Sequence, residues 1–391
     1  MPFISSTDGD LKTAFVTNAW LIDQFVGNRL FTWGDNTYGQ LGDNTRLHRS
    51  NPVQTVAGGT NWSQVACGLN FTAAIKTDGT LWSWGTNVIY GNLGDNTTTN
   101  RSSPVQTTGG GNNWQQISAV YINAAAIKTD GTLWLWGDNG FGQLGDNTTI
   151  SRSSPVQTVS RGNNWRQVAC GYACTAAIKT DGTLWCWGQN ENGQLGDNTT
   201  TNRSSPVQTI VAGNNWKSAF AMYHVAAIKT DGTLWLWGAN FSGQLGDNTQ
   251  VDKSSPIQTI SGGRNWKQMS TGGQDNMGAI KTDGTLWLWG YNGYGGLGTN
   301  NTIATSSPIQ TVTGGTNWKQ LGIGAGIHVG AVKTDGSLWV WGGVYSLYMN
   351  GLIGDNANIY RSSPVQTSAG GYNWKQVSAG YTHTAAITYG D

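Results

Sequence analysis

Three histidines, His224, His328 and His383, occupy one position of a repeated sequence, four residues before the isoleucine or valine of an A-A-I-K-like run. Imidazoles aligned in this way could ligate a metal or relay protons. The other copies carry Phe71, Asn123, Cys174 and Asn276 there, and only His328 and His383 fall on successive copies. A structural hydrogen bond from each imidazole to a neighbouring loop is the plainer expectation. Aspartates recur in G-D-N segments at Asp43, Asp95, Asp146, Asp197, Asp247 and Asp355. One carboxylate per loop is far short of what a tight calcium site collects, so Asx-type turns are expected. Cys67 and Cys170 share a repeat position, Cys174 replaces Phe71 and Cys186 replaces Ser83. They read as small buried fillers, because no C-x-x-C or Cys/His metal spacing accompanies them. Glu191 is the single glutamate. No nucleophile with a partnered base, phosphate loop or carboxylate pair can be assembled, so the reading is a non-enzyme with no catalytic residue, cofactor or metal.

The elements that carry these residues come from a repeat. L-W-x-W-G or a close variant appears seven times, its second tryptophan at Trp33, Trp84, Trp136, Trp187, Trp237, Trp289 and Trp341. A period of about 50 residues made of short strands marks stacked supersecondary units that bury one another's faces. The chain of 391 residues carries net charge +1 with 11% charged residues. No basic stripe is visible, which argues against nucleic acid. No apolar run approaches a membrane span and Met1–Asp10 is polar and acidic, against membrane insertion and a secretory leader. A virion or the cytoplasm is the expected setting.

Each unit divides into four strands. The first follows Asn-Trp and is rich in small residues, as at Ala66-Cys67-Gly68, which suits the strand nearest a narrow axis; Phe220 is the exception. The second is A-A-I-K-T. An Asp-Gly turn, at Asp78, Asp130, Asp181, Asp231, Asp283 and Asp335, leads to the third strand, L-W-x-W-G, and predicts a type I′ hairpin. The fourth strand is P-V/I-Q-T, beginning at Pro52, Pro104, Pro155, Pro206, Pro256, Pro308 and Pro364, and proline suits an outermost strand. The 21 tryptophans read as core. At about 25 cal/mol per Å², burying one such ring contributes on the order of 4 to 6 kcal/mol. Leu30–Trp33 supplies a third strand with nothing before it, and Trp374–Thr388 a first and second with nothing after. Together they complete a blade. The expected architecture is all-β: a seven-bladed β-propeller of four antiparallel strands per blade, the last closed by both termini. It spans residues 27–391, behind an N-terminal extension of residues 1–26.

The motifs G-x-N-x-x-G-Q-L-G (Gly34–Gly42, Gly188–Gly196) and G-Y-T-H-T-A-A-I (Gly380–Ile387) resemble the regulator of chromosome condensation repeat. The resemblance implies a seven-bladed propeller. Functions in that family range from nucleotide exchange on a small GTPase to UV-B reception and β-lactamase inhibition. The near-identical Asn/Thr/Gly-rich copies look most like uncharacterised bacterial and phage members. The photoreceptor's G-W-R-H-T signature would place Trp and Arg before His383, where Tyr381 and Thr382 stand, so its light-sensing site is not carried over.

Strands that alternate in direction put the loops joining strands one to two and three to four on one face, and the Asp-Gly turns with the G-G-x-N-W approach on the other. The copies differ on the first face. Candidate partner-binding residues there are Tyr38, Ile89, Tyr90, Phe141, Phe241 and Tyr294, and, in the expanded seventh copy, Tyr345, Leu347, Tyr348 and Met349. Tyrosine gives wide contact area at low entropic cost. In the extension, Phe15, Trp20, Leu21, Ile22 and Phe25 are too apolar for a disordered tail and read as a docking segment. The leading expectation is a non-enzymatic interaction or scaffold propeller, a structural or attachment component of a virion or surface assembly with protein partners. The alternatives are a soluble exchange-factor-like regulator and a lectin-like propeller that stacks a glycan on its aromatics.

Overall fold

The computed structural model describes residues 27–390 apart from 57–58, 161, 212, 273–274, 344–349 and 372. The described residues form seven four-stranded antiparallel sheets and no helix. Blade 1 joins Trp374–Ala379 and His383–Thr388 to Leu30–Gly34 and Arg49–Gln54. Blades 2 to 7 follow in chain order: Trp62–Gln106, Trp114–Gln157, Trp165–Gln208, Trp216–Gln258, Trp266–Gln310 and Trp318–Gln366. The extension and its five candidates, Phe15, Trp20, Leu21, Ile22 and Phe25, lie outside the described residues.

The first strands surround an axial channel of about 370 Å³ lined by Gln64, Gln116, Gln167, Gln268, Gln320 and Gln376. Small side chains are therefore required there, as the sequence implies. In blade 1, Leu30 pairs with Ile387 and Gly34 with His383, so the two termini share one ladder. The chain ends meet where other blades place their hairpin: Gly390 N donates to Asn28 Oδ1 at 3.1 Å, and Asn28 O accepts Trp62 N at 3.1 Å, much as Gly79 O accepts Trp114 N at 3.0 Å.

Three expectations are corrected. The Asp-Gly hairpin is not type I′, because only the glycine takes positive φ (Gly79, 79°), while Asp78 does not. Gly79 N donates to Lys76 O and Lys76 N to Thr80 O, a type I turn closed by a glycine bulge. Asp78 Oδ1 stabilises it by accepting Thr80 N and Oγ1 at 2.9 and 2.7 Å. The fourth strand begins three residues before its proline, at Arg49, and the ladder skips from Gly34–Arg49 to Thr32–Val53. Pro52 sits in that irregularity, where no amide is needed. Finally, fourteen of the tryptophans are fully buried, but Trp82, Trp134, Trp185, Trp235, Trp287 and Trp339 are half-buried. Each is separated from the Asn-Trp indole by a lysine (Lys76, Lys128, Lys179, Lys229, Lys281, Lys333) lying 4.3 to 5.0 Å from both ring centroids. Each indole also donates to the Thr or Ser hydroxyl after the Asp-Gly turn.

The seams between blades repeat too. The second tryptophan of every third strand donates from Nε1 to a carbonyl of the preceding blade, at 2.8 to 3.1 Å: Trp84 to Gln40, Trp136 to Asn92, and so on to Trp33, which reaches Leu352. The following glycine must be bare, since a Cβ on Gly42 (φ 64°) would come 2.7 Å from Trp84 Nε1. In the other direction, channel glutamines clasp the next blade's first strand. Gln116 Oε1 accepts Val168 N while its Nε2 donates to Val168 O, both at 3.0 Å, and Gln167, Gln268, Gln320 and Gln376 do likewise. Ser218 interrupts this circle between blades 5 and 6, where Phe220 packs instead beside Met269 and Met277.

Candidate functional site

The loop face is built by burying the constant residues of each G-x-N-x-x-G-Q-L-G-D-N loop. Asn36, fully buried, donates from Nδ2 to Asp43 Oδ1 (3.0 Å) and to the carbonyls of Thr45 and Leu47, and its Oδ1 accepts Leu41 N. Gln40 Oε1 accepts Tyr38 N at 2.9 Å. These bonds hold the loop from inside and push its two variable residues outward.

Asp43 shows why a cation has no place in the loop. Its Oδ1 accepts Thr45 N and Oγ1, an Asx turn with Asn44 at φ 60°, and its Oδ2 takes a two-pronged donation from Arg49, Nε at 2.9 Å and Nη2 at 2.7 Å. Burial pushes the Asp43 carboxyl up, but the hydrogen bonds from Thr45 and Arg49 outweigh it and hold the group below the usual carboxylate range. Asp95, Asp146, Asp197 and Asp355 pair with Arg101, Arg152, Arg203 and Arg361, and Asp247 with Lys253. Blade 6 has Thr299 and Thr305 at these two places, so acid and base are absent together. That joint loss, six residues apart, was the sequence signal for the pair. Among the described residues no group of three His, Cys, Asp or Glu side chains could hold a metal.

Of the four histidines His48 is exposed, whereas His224, His328 and His383 are fully buried at the seams. His383 Nε2 lies 2.9 Å from Thr72 Oγ1 and His328 Nε2 3.0 Å from Thr384 Oγ1, each threonine belonging to the next blade's second strand. His224 faces a blade with Met277 at that position, and neither ring nitrogen has a protein partner. Burial drives His224 and His383 down to about 4 and His328 to about 3, so all three are neutral. The four cysteines are buried free thiols, and burial pushes Cys67, Cys170 and Cys174 up to about 12.

Of the candidate contact residues, Tyr38, Ile89 and Phe241 are exposed, at 39%, 73% and 49%, while Tyr90, Phe141 and Tyr294 are half-buried. Tyr294 packs edge-on to Tyr360 at 6.4 Å and beside Tyr291 at the same distance. Tyr345, Leu347, Tyr348 and Met349 lie outside the described residues. A second aromatic row, which the sequence reading passed over, stands closer to the axis in the loops after the first strands. Tyr121 and Tyr172 have ring centroids 4.2 Å apart, and Tyr172 stacks on Tyr223 at 4.4 Å. Burial, then hydrogen bonding with Tyr172, raises the Tyr121 phenol to about 12 and the Tyr223 phenol further. Tyrosine two residues before the aligned Asn, Cys or His in three copies (121, 172, 381), and one residue before it in a fourth (223), was the available signal.

The profile of the RCC1-like domain matches residues 29–386. The ultraviolet-B receptor UVR8 of Arabidopsis thaliana is 34% identical over 180 residues, covering 45% of this chain and 41% of the receptor. The probable E3 ubiquitin-protein ligase HERC4 of Rattus norvegicus is 31% identical over 200 residues, covering 49% of this chain and 18% of the ligase. The chain thus spans less than half the length of these curated relatives. Among solved structures, Prp20p of Saccharomyces cerevisiae superposes with TM-score 0.80 at 18% identity, over 100% of this chain and 96% of its own. Human WBSCR16 gives 0.79 at 20% identity, over 93% and 99%. At such identities the likeness is one of fold.

Proposed function

The chain belongs to the RCC1-like domain family, and from that premise we propose that it is a non-enzymatic propeller that binds a protein partner through its loop face. One observation carries this reading. Variation between copies is concentrated at outward-held loop tips on one face, beside a tyrosine row, while the asparagine that holds those tips from inside recurs in six of the seven copies. Chemistry has no comparable focus, since the carboxylates of the G-D-N loops are bound by arginine, lysine or threonine, the three aligned imidazoles and the thiols are buried, and the exposed His48 is held by Asp35. Finer still, we propose a structural or attachment component of a virion or surface assembly, joined through residues 1–26. This rests on the resemblance to bacterial and phage members and on the apolar extension.

Co-production with proteins from the native source tests both levels. The expectation is that one partner co-purifies with the full chain and is lost from a Tyr38→Ala, Ile89→Ala, Phe241→Ala, Tyr172→Ala variant, while Asp181→Asn on the opposite face retains it. Equal recovery by both variants would sink the loop-face reading, and unchanged assembly after deletion of residues 1–26 would remove the tether. A regulator on the pattern of Prp20p, described as binding Gsp1p and histones, would instead show accelerated nucleotide release from a co-purified GTPase. A lectin would show glycan binding sensitive to the same alanines.

A further inference from the structure

The formal net charge of +1 conceals a polarised disc. All six Arg–Asp and Lys–Asp ion pairs among the described residues lie on the loop face, with the His48–Asp35 contact beside them. On the hairpin face, the residue after the Asn-Trp indole, at the foot of each innermost strand, is Arg166, Lys217, Lys267, Lys319 and Lys375 in blades 4, 5, 6, 7 and 1. Blades 2 and 3 have Ser63 and Gln115 there. The five cations form a continuous arc around the hairpin-side mouth of the channel, one residue below the glutamines that line it.

Among the described residues none of the five has a carboxylate within ion-pair distance. Arg166 Nη2 donates to the carbonyls of Trp216 (2.8 Å) and Lys217 (3.2 Å), and Lys319 Nζ to Tyr389 Oη (2.8 Å), contacts that orient the cations without neutralising them. Arg166, Lys217 and Lys267 are exposed. Like charges gathered on one arc raise a potential that attracts and steers an anion.

Farther from the axis cations and carboxylates are matched. The hairpins join second and third strands, and their tips carry six exposed aspartates, Asp78, Asp130, Asp181, Asp231, Asp283 and Asp335. The neighbouring hairpin lysines are drawn inward between two indoles. A hub of unmatched cations inside a rim where lysine and aspartate alternate discriminates by shape. A duplex laid across the face would press its phosphates on the rim, whereas a narrow chain arriving along the axis meets only the hub.

We propose that this hub is a second binding site, distinct from the loop face, for an acidic peptide segment of a protein partner that enters along the propeller axis. Fluorescence anisotropy of the full chain with a labelled oligo-aspartate peptide at low salt tests it, with an oligothymidylate of matched charge as the competing probe. Peptide binding is expected, weakened by about tenfold or more in Lys217→Glu, Lys267→Glu, Lys319→Glu, and abolished near about 0.5 M sodium chloride. The neutral triple variant with glutamine should show a smaller loss in the same direction, and Arg46→Glu on the loop face no change. Undiminished peptide binding by both folded triple variants would overturn the site. Tighter binding of the oligothymidylate, further improved by Asp181→Asn, Asp231→Asn, Asp283→Asn, would overturn the choice of ligand.

Discussion

Individual side chains in this propeller acquire their roles from burial. The three histidines show this through pH. An unfolded imidazole takes up a proton below about pH 6.5, but His224 and His383 stay neutral in the fold down to about 4 and His328 to about 3. The unfolded state therefore binds more protons in this window, and stability falls as pH drops from about 6.5 towards 4, with no contribution above it. Thermal unfolding should shift downward over that range. A His224→Asn, His328→Asn, His383→Asn variant, using the residue found in blades 3 and 6, should lose most of the slope, and an unchanged slope would refute the assignment. The Asp–Arg pairs give a second prediction. Arg101→Thr alone leaves Asp95 buried without its charged partner, and should cost about 1 kcal/mol more than expected from the Asp95→Thr, Arg101→Thr double variant, which reproduces blade 6. A double-mutant cycle in urea measures it. These pairs were legible as co-occurring letters six residues apart. The need to satisfy a nearly buried carboxylate becomes evident only once the loop is seen to fold over it.

At the scale of strands and seams, the repeat spoke clearly. Strand order, blade number and the inner position of the small-residue strand follow from letters such as Ala66-Cys67-Gly68 and the outer prolines. Turn geometry was less accessible, because Asp-Gly serves a type I′ turn and a type I turn with glycine bulge equally well, and the register of the flanking strands decides between them. The tyrosine row at 121, 172 and 223 escaped for a related reason: a ring is recognised as part of a surface only when neighbouring blades bring its equivalents to within about 4 Å. Comparison of seams singles out the one between blades 5 and 6. It lacks the glutamine clasp at Ser218, and His224 faces Met277 where the other two histidine-bearing seams offer Thr72 and Thr384. Only the tryptophan bond from Trp289 to Gln244 O remains of the three links. Hydrogen exchange should therefore be fastest in the inner strands of blades 5 and 6. Ser218→Gln should slow it there and add about 1 kcal/mol of stability; exchange that is uniform around the ring would disprove the weak seam.

For the molecule as a whole, net charge was the least informative quantity read from the sequence, since it hides a hub of unmatched cations behind a rim and a loop face of matched charges. Closure was fully legible, and it has a direct test. With Gly390 beside Asn28, a permuted chain that joins Thr388 to Leu30 through Thr-Asp-Gly-Thr and opens instead at the Asp181-Gly182 turn should fold. Its circular dichroism should be native and its unfolding midpoint within a few degrees of the parent; failure to fold would mean that the native break is needed. The seam bonds carry one more consequence. Tryptophan reaches backward at every junction and glutamine forward at all but one, so the two sides of a blade are not interchangeable. Such head-to-tail contacts end only when the accumulated rotation returns to its start, and otherwise they propagate. A chain shortened by one copy would carry complementary unfilled ends on different molecules, and the closed disc would become the subunit of a filament.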